Sequence, residues 1–163
     1  MSNLLLQPDL SGGSPIHDVT PASAGWSHVG FGLHDLTAGG SVESGGTADE
    51  TCLVLLSGSV RIIADDLDTG LLQGRASVFD KVAPHAVYVP MKTAWRVEAG
   101  SDSELAVCRA PGTEGKLPPR LIGSQNMPLE TRGTGSNVRH VCNILPETEP
   151  ADSLLVVEVI TPA

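Results

Sequence analysis

Residues 51–64 read TCLVLLSGSVRIIA: two short runs rich in Leu, Val and Ile, broken at Ser57-Gly58. Neither run is long enough for a stable helix, and a Ser-Gly step between apolar segments is a chain reversal. The stretch therefore predicts two strands joined by a tight turn, and the rest of the chain repeats the pattern. Apolar runs of four to nine residues recur at 28–36, 51–56, 59–64, 76–79, 86–89, 94–98, 104–109, 137–145 and 153–160. Acidic ADDLDTG (64–70) reads as the turn after SVRIIA, and Pro90 closes AVYVP. The one helical signal is a single turn near Thr20–Gly25, with Thr20 placed to cap and Pro21 at the first helical position.

Strands at this density without intervening helices indicate an all-β fold, an antiparallel β-sandwich or barrel of jelly-roll type. Composition agrees: among 163 residues, 40% are apolar and only 18% charged, with 18 Gly and 12 Pro to serve the turns. This length suits one compact domain, or one and a fraction, and buries enough surface to fold without disulfide or metal. Residues 1–110 are read as the barrel. Residues 111–136, rich in Gly and Pro, are read as a connector with one short strand around Arg120–Ile122, and 137–163 as a terminal strand pair.

A net charge of −9, with no block of basic residues, argues against nucleic-acid binding. The opening MSNLLLQPDL has a three-leucine patch but neither the basic start nor the long apolar run of a signal peptide, and nothing approaches a membrane span. Cys52, Cys108 and Cys142 are an odd number, widely spaced in apolar strands, and read as buried thiols of a reducing, cytoplasmic compartment.

The strings PASAGWSHVGFGLHDLTAGG, ETCLVLLSG, GRASVFDKVAPHAVYVP, ELAVCRAPG, NVRHVCNILPE and ADSLLVVEVITP, in this order, closely resemble the first half of the 5-deoxyglucuronate isomerases of inositol catabolism. The resemblance covers nearly all of residues 15–162. It implies a bicupin, related to the 4-deoxy-5-keto-uronate isomerases, in which a divalent metal sits in the second cupin on an H-x-H pair, a later Glu and a later His. It also implies aldose-ketose isomerisation of a small sugar acid. The sequence stops at Ala163, so the expectation is a first cupin followed by the opening strands of an incomplete second one, without activity of its own.

The first cupin can be tested for the same ligands. In the pattern G-x5-H-x-H-x3-E-x6-G, Gly39 opens and Gly58 closes the first motif, and Pro90 takes the proline of the second. The four liganding slots then hold Gly45, Thr47, Thr51 and Trp95, and Lys92 replaces a glycine. Glu50 is one residue from the carboxylate slot, which on a strand turns its side chain to the opposite face. Trp95 is expected to fill barrel volume. No catalytic, cofactor-binding or metal-binding residue is therefore assigned in this chain, and any divalent metal is expected only in the second cupin.

Other constellations read as structure. His28 and His34 share strand parity but stand too far apart for one ion; His85, after Pro84 and near Asp80, reads as a loop histidine; His17 has no partner pattern; His140 is assigned to the terminal strand pair. Ser57 lacks the preceding glycine of a nucleophile elbow, the Gly-rich stretches lack a phosphate loop's Lys-Ser/Thr end, and Asp65, Asp66 and Asp68 lack the remaining offsets of a calcium loop. Arg120, Arg132 and Arg139 are loose candidates for gripping a substrate carboxylate. The apolar terminal strands, marginal as an isolated ribbon, are expected to add to the barrel sheet or exchange with a second copy, making a homo-oligomer. The competing reading is a stand-alone barrel that binds a small sugar acid or serves only as an oligomeric scaffold.

Overall fold

The computed structural model describes residues 5–9, 11 and 15–162; Met1–Leu4, which include the first leucine of the N-terminal patch, and the chain end at Ala163 lie outside them. Two antiparallel sheets form a jelly-roll sandwich. The larger orders β1 (His17–Val19), β2 (Gly30–Leu36), β9 (Ser103–Pro111), β4 (Asp49–Ser57), β7 (His85–Val89) and β10 (Arg120–Ile122). Facing it are β3 (Ser41–Ser44), β8 (Trp95–Ala99), β5 (Ser59–Ala64) and β6 (Leu67–Gln73). A third sheet orders β11 (Leu129–Arg132), β12 (Arg139–Leu145) and β13 (Val156–Ile160). The helical turn α1 (Pro21–Ala24) forms where expected, with a capping box between Thr20 and Ser23.

The run TCLVLL is continuous rather than alternating because β4 is buried on both faces. Leu53 and Leu55 point into the sandwich with Val87, Leu105 and Val107, against Val60, Ile62 and Val97 of the smaller sheet. Cys52 and Val54 point outward with Ala86, Tyr88 and Ala106, against Met127, Cys142 and Ile144 of the outer layer. Gly58 makes the reversal between β4 and β5: its φ is 86°, and a Cβ there would lie 2.3 Å from the Asp102 carbonyl oxygen, so both backbone sign and space demand glycine.

Three expectations change. The strand expected at 76–79 is a turn, held by the Asp80 carboxylate, which accepts the N–H groups of Ala76 and Ser77. ADDLDTG is turn only at its start, because β6 begins at Leu67 and Asp68 is neutralised across the hairpin by Arg61 at 2.5 Å. The terminal strands neither add to a barrel sheet nor stand as a lone pair: β11, from the expected connector, pairs with β12 to make three strands that pack face-on against the larger sheet. β10 lies where the sequence places a short strand and extends the larger sheet beside β7. The short polar strands β1, β3 and β11 carry no apolar run to reveal them.

Candidate functional site

The four slots where a cupin places its metal ligands are presented by β4, β8 and the loop before β4. Thr51, 4% exposed, faces inward between Arg109 and Val89. Trp95, 8% exposed, packs into the inner core with Val97 and Ala64. The Thr47 hydroxyl accepts the N–H of Asp49 at 3.2 Å, while its carbonyl takes the N–H of Lys92 at 2.6 Å. Gly45 and Trp95 border an open cleft of about 370 Å³ with Glu43, Asp65 and Arg96. A glycine offers no side-chain donor, an indole N–H has no lone pair, and two neutral hydroxyls do not make up a transition-metal site. The residues at these slots do not fit a divalent metal. Among the described residues, no group of three or more His, Cys, Asp or Glu is gathered closely enough to hold one.

Next to Thr51 lies a polar cluster that sequence reasoning missed. Gly30, Gly32 and His34 share the inward face of β2 with Leu36. The two glycines leave room for larger neighbours: a Cβ on Gly30 would come within 3.3 Å of Arg109 Nε, and one on Gly32 within 3.3 Å of His34 Nε2. Arg109 Nη2 donates to Asp18 at 2.6 Å, tying β1 to β9. Burial, and then the Arg109 charge, lower the His34 pKa and favour the neutral imidazole. The available signal was two glycines at period two opposite an arginine in an otherwise apolar strand.

The second missed feature is on the outer face. Glu50 is wholly buried, on the side of β4 away from the barrel interior, as its one-residue offset requires. Its carboxylate accepts the Tyr88 hydroxyl at 2.8 Å and the N–H groups of Asp152, Ser153 and Leu154 at 2.8, 2.6 and 2.5 Å. The Ser153 hydroxyl adds a fifth donor at 3.0 Å. Asp152 reciprocates by accepting the N–H groups of Thr113, Glu114 and Gly115, each at 2.9 Å. These bonds, Gly115's foremost, hold its carboxyl below the usual range. Arg75, its side chain 1% exposed, pairs with Glu158 of β13 and donates to the carbonyls of Leu56 and Val82. Glu50, Asp152 and Arg75 thus clamp the outer layer to the barrel.

His85 is a β7 strand residue, not a loop residue, and its Nδ1 accepts the Ser124 N–H at 3.3 Å. His140 meets the Thr131 hydroxyl at 3.2 Å between β12 and β11. His17 sits on β1 opposite Leu33, and His28 precedes β2 and lines an outer groove. Arg120 stacks on the Tyr88 ring at 4.7 Å, Arg132 pairs with Glu130 at 2.7 Å, and Arg139 is exposed on β12. Arg132 stands opposite Arg139 across β11 and β12, and it lines an outer cleft of about 550 Å³ together with Arg120. Burial raises the thiol pKa of all three cysteines, to about 11 for Cys108 and Cys142, so none is a reactive thiolate.

This geometry is that of a cupin-type jelly roll with a clamped third layer. The likeness extends at the level of fold to the putative glyoxylate induced protein of Pseudomonas aeruginosa, at a TM-score of 0.58 and 9% identity over 82% of this chain and 49% of that one. The family model described as KduI/IolB matches residues 4–163, and the chain belongs to that family. The 5-deoxy-glucuronate isomerase of Geobacillus thermodenitrificans is 47% identical over 88% of this chain and 52% of its own length. That of Halalkalibacterium halodurans is 36% identical over 99% of this chain and 61% of its own. The crystal structure of an IolB-like protein from Salmonella typhimurium superposes with a TM-score of 0.91 at 44% identity, covering 97% of this chain and 59% of that one. The chain spans about half to three-fifths of the length of these relatives. Among the described residues, no helix is long and apolar enough to cross a membrane.

Proposed function

We propose that this chain is the metal-free first half of a 5-deoxy-glucuronate isomerase, and that it serves the reaction as scaffold rather than as catalyst. The observation that carries the reading is the occupancy of the four cupin slots by Gly45, Thr47, Thr51 and Trp95, in a chain 47% identical to a protein of that name. Aldose-ketose isomerisation takes a proton from the hydroxyl-bearing carbon and returns one to the former carbonyl carbon through an enediol, so it needs a base and a stabiliser of oxyanion charge. In this reading the second cupin, rather than His34 and Arg109 of this barrel, supplies that pair, because Asp18 already holds Arg109 Nη2. A divalent metal in the second cupin would supply the Lewis acid. The setting is inositol catabolism in the cytoplasm, in a homo-oligomer.

The test is turnover of 5-deoxyglucuronate by the 163-residue chain and by the product of its reading frame followed past codon 163. The reading expects isomerisation by the longer product alone. Turnover by the 163-residue chain overturns the scaffold role, and an inactive longer product overturns the isomerase assignment.

One observation favours a second reading, a barrel that binds a small sugar acid without transforming it: Arg109, its side chain 30% exposed, lies beside His34 at the inward glycines. Asp18 already occupies Arg109 Nη2, which weighs for the first reading. A thermal shift with glucuronate, abolished by Arg109→Ala, would favour the second.

A further inference from the structure

We propose that the outer cleft between β10, β11 and the 146–149 loop binds a small hydroxy acid, with Arg120 gripping its carboxylate. The cleft, about 550 Å³, is bordered by Arg120, Asn126, Arg132, Asn143, Glu147 and Glu149. The Arg120 guanidinium lies over the buried Tyr88 ring, 4.7 Å from its centroid, so the ring fixes its plane and covers one face. Stacking leaves the in-plane N–H groups unspent. Among the described residues none of them makes a hydrogen bond, and Nη2 is buried as well. Glu149 Oε2 stands 3.7 Å from Nη2, too far to accept a hydrogen bond, on a side chain 47% exposed. A half-exposed glutamate at that distance marks a carboxylate position that a ligand takes over when the side chain turns out to water.

The second arginine of the cleft is already engaged. Arg132 Nε donates to Glu130 at 2.8 Å and its Nη2 lies 2.7 Å from the same carboxylate, which also accepts Asn143 Nδ2 at 3.2 Å. Arg120 is thus the cation left for a ligand. The lining then chooses among anions: three glutamates, Glu130, Glu147 and Glu149, around one available guanidinium disfavour a dianionic phosphate and tolerate a monoanion. Glutamates also accept O–H groups, and the amides of Asn126 and Asn143 serve hydroxyls in either sense. A carboxylate flanked by hydroxyls matches both halves of this lining. The site concerns binding alone and stands whether or not the chain is part of a longer isomerase.

Titration of the isotope-labelled chain, followed by NMR amide shifts, tests this with glucuronate, acetate, glucose and inorganic phosphate as probes. Glucuronate is expected to give saturable shifts at 120–126 and 146–149, with acetate weaker and glucose without effect. Arg120→Gln is expected to weaken glucuronate binding by about tenfold, the loss of a charge-assisted contact. Glu149→Gln, at an exposed side chain, is expected to strengthen it by about threefold, because the competing carboxylate is gone. Arg61→Gln, on the far sheet, leaves it unchanged. No saturable shift, tighter binding of phosphate than of glucuronate, or equal binding of acetate overturns the proposal. Shifts confined to 30–34 and 107–111 and lost in Arg109→Ala assign the acid to the barrel and overturn it as well. If Arg120→Gln fails to fold, Glu149→Gln still decides, since unchanged or weaker binding in that variant contradicts the grip.

Discussion

The molecule has two cores separated by a single sheet, and they are built on opposite principles. Inside the sandwich, aliphatic side chains and Trp95 fill the space, and the positions where a cupin places metal ligands carry no ligating set. Outside it, between the larger sheet and the third layer, the buried surface includes charged groups with matched partners: Glu50 with five donors, and Arg75 with Glu158 and two carbonyls. A buried charge is tolerated only where its hydrogen-bonding capacity is met, and such sites fix geometry more than they add stability. The buried charges of the outer core hold the layers in register.

Several substitutions would break or sharpen that contrast. Glu50→Ala strands three backbone N–H groups and the Tyr88 hydroxyl, and an uncompensated loss of this kind is expected to cost about 3–5 kcal/mol. Its mark is regional: denaturant unfolding of the whole chain should weaken, with exchange at 152–160 accelerating before that at 51–64. Trp95→Ala, a large-to-small change in the inner core, is expected to cost a similar ~3–5 kcal/mol, but to loosen both sheets of the sandwich together. If Glu50→Ala loosened both regions equally, the outer layer would not be a separable unit.

Smaller effects should follow the backbone and the titrating groups. Gly58→Ala forces a left-handed φ onto a residue with no room for its Cβ, and about 1–3 kcal/mol should be lost in a urea titration. Thr20→Ala, remote from both cores, should cost about 1 kcal/mol through its cap alone.

The two regions should also answer acid at different pH. His34 has a lowered pKa when folded, so its contribution is complete above 6.5 and drains away as pH falls below that value, where the unfolded chain binds a proton the buried imidazole resists. Asp152 is likewise lowered, so the outer clamp keeps its contribution down to 3.8 and loses it only as pH falls further. Thermal midpoints of the parent, His34→Gln and Asp152→Asn across this range would separate the two, with the His34 difference shrinking first on acidification.

Strand identity was readable where burial imposed an apolar run, as in β4, β5, β9 and β12, and the turn at Gly58 was readable because its chemistry is local. The slots of the cupin pattern could be placed by spacing alone, and Thr51 and Trp95 face inward as that spacing requires. What escaped were interactions made across the fold. Glu50 was recognised as facing away from the barrel, but its backbone partners lie about a hundred residues downstream, in a segment whose N–H groups serve the carboxylate instead of lengthening β13. Arg75 and Glu158, 83 positions apart, carry no local mark of their pairing. β6 was obscured by Asp68, whose charge is answered by Arg61 across the hairpin rather than by solvent.

The account turns on the proposal that the inner core is packed scaffold with no ligand set for a metal. Equilibrium dialysis of the 163-residue chain against Mn²⁺, Zn²⁺ and Ni²⁺, with the bound metal counted by mass spectrometry, tests it most directly. The account predicts no ion retained in stoichiometric amount. One ion per chain, lost on substituting Thr51 or His34, would contradict it.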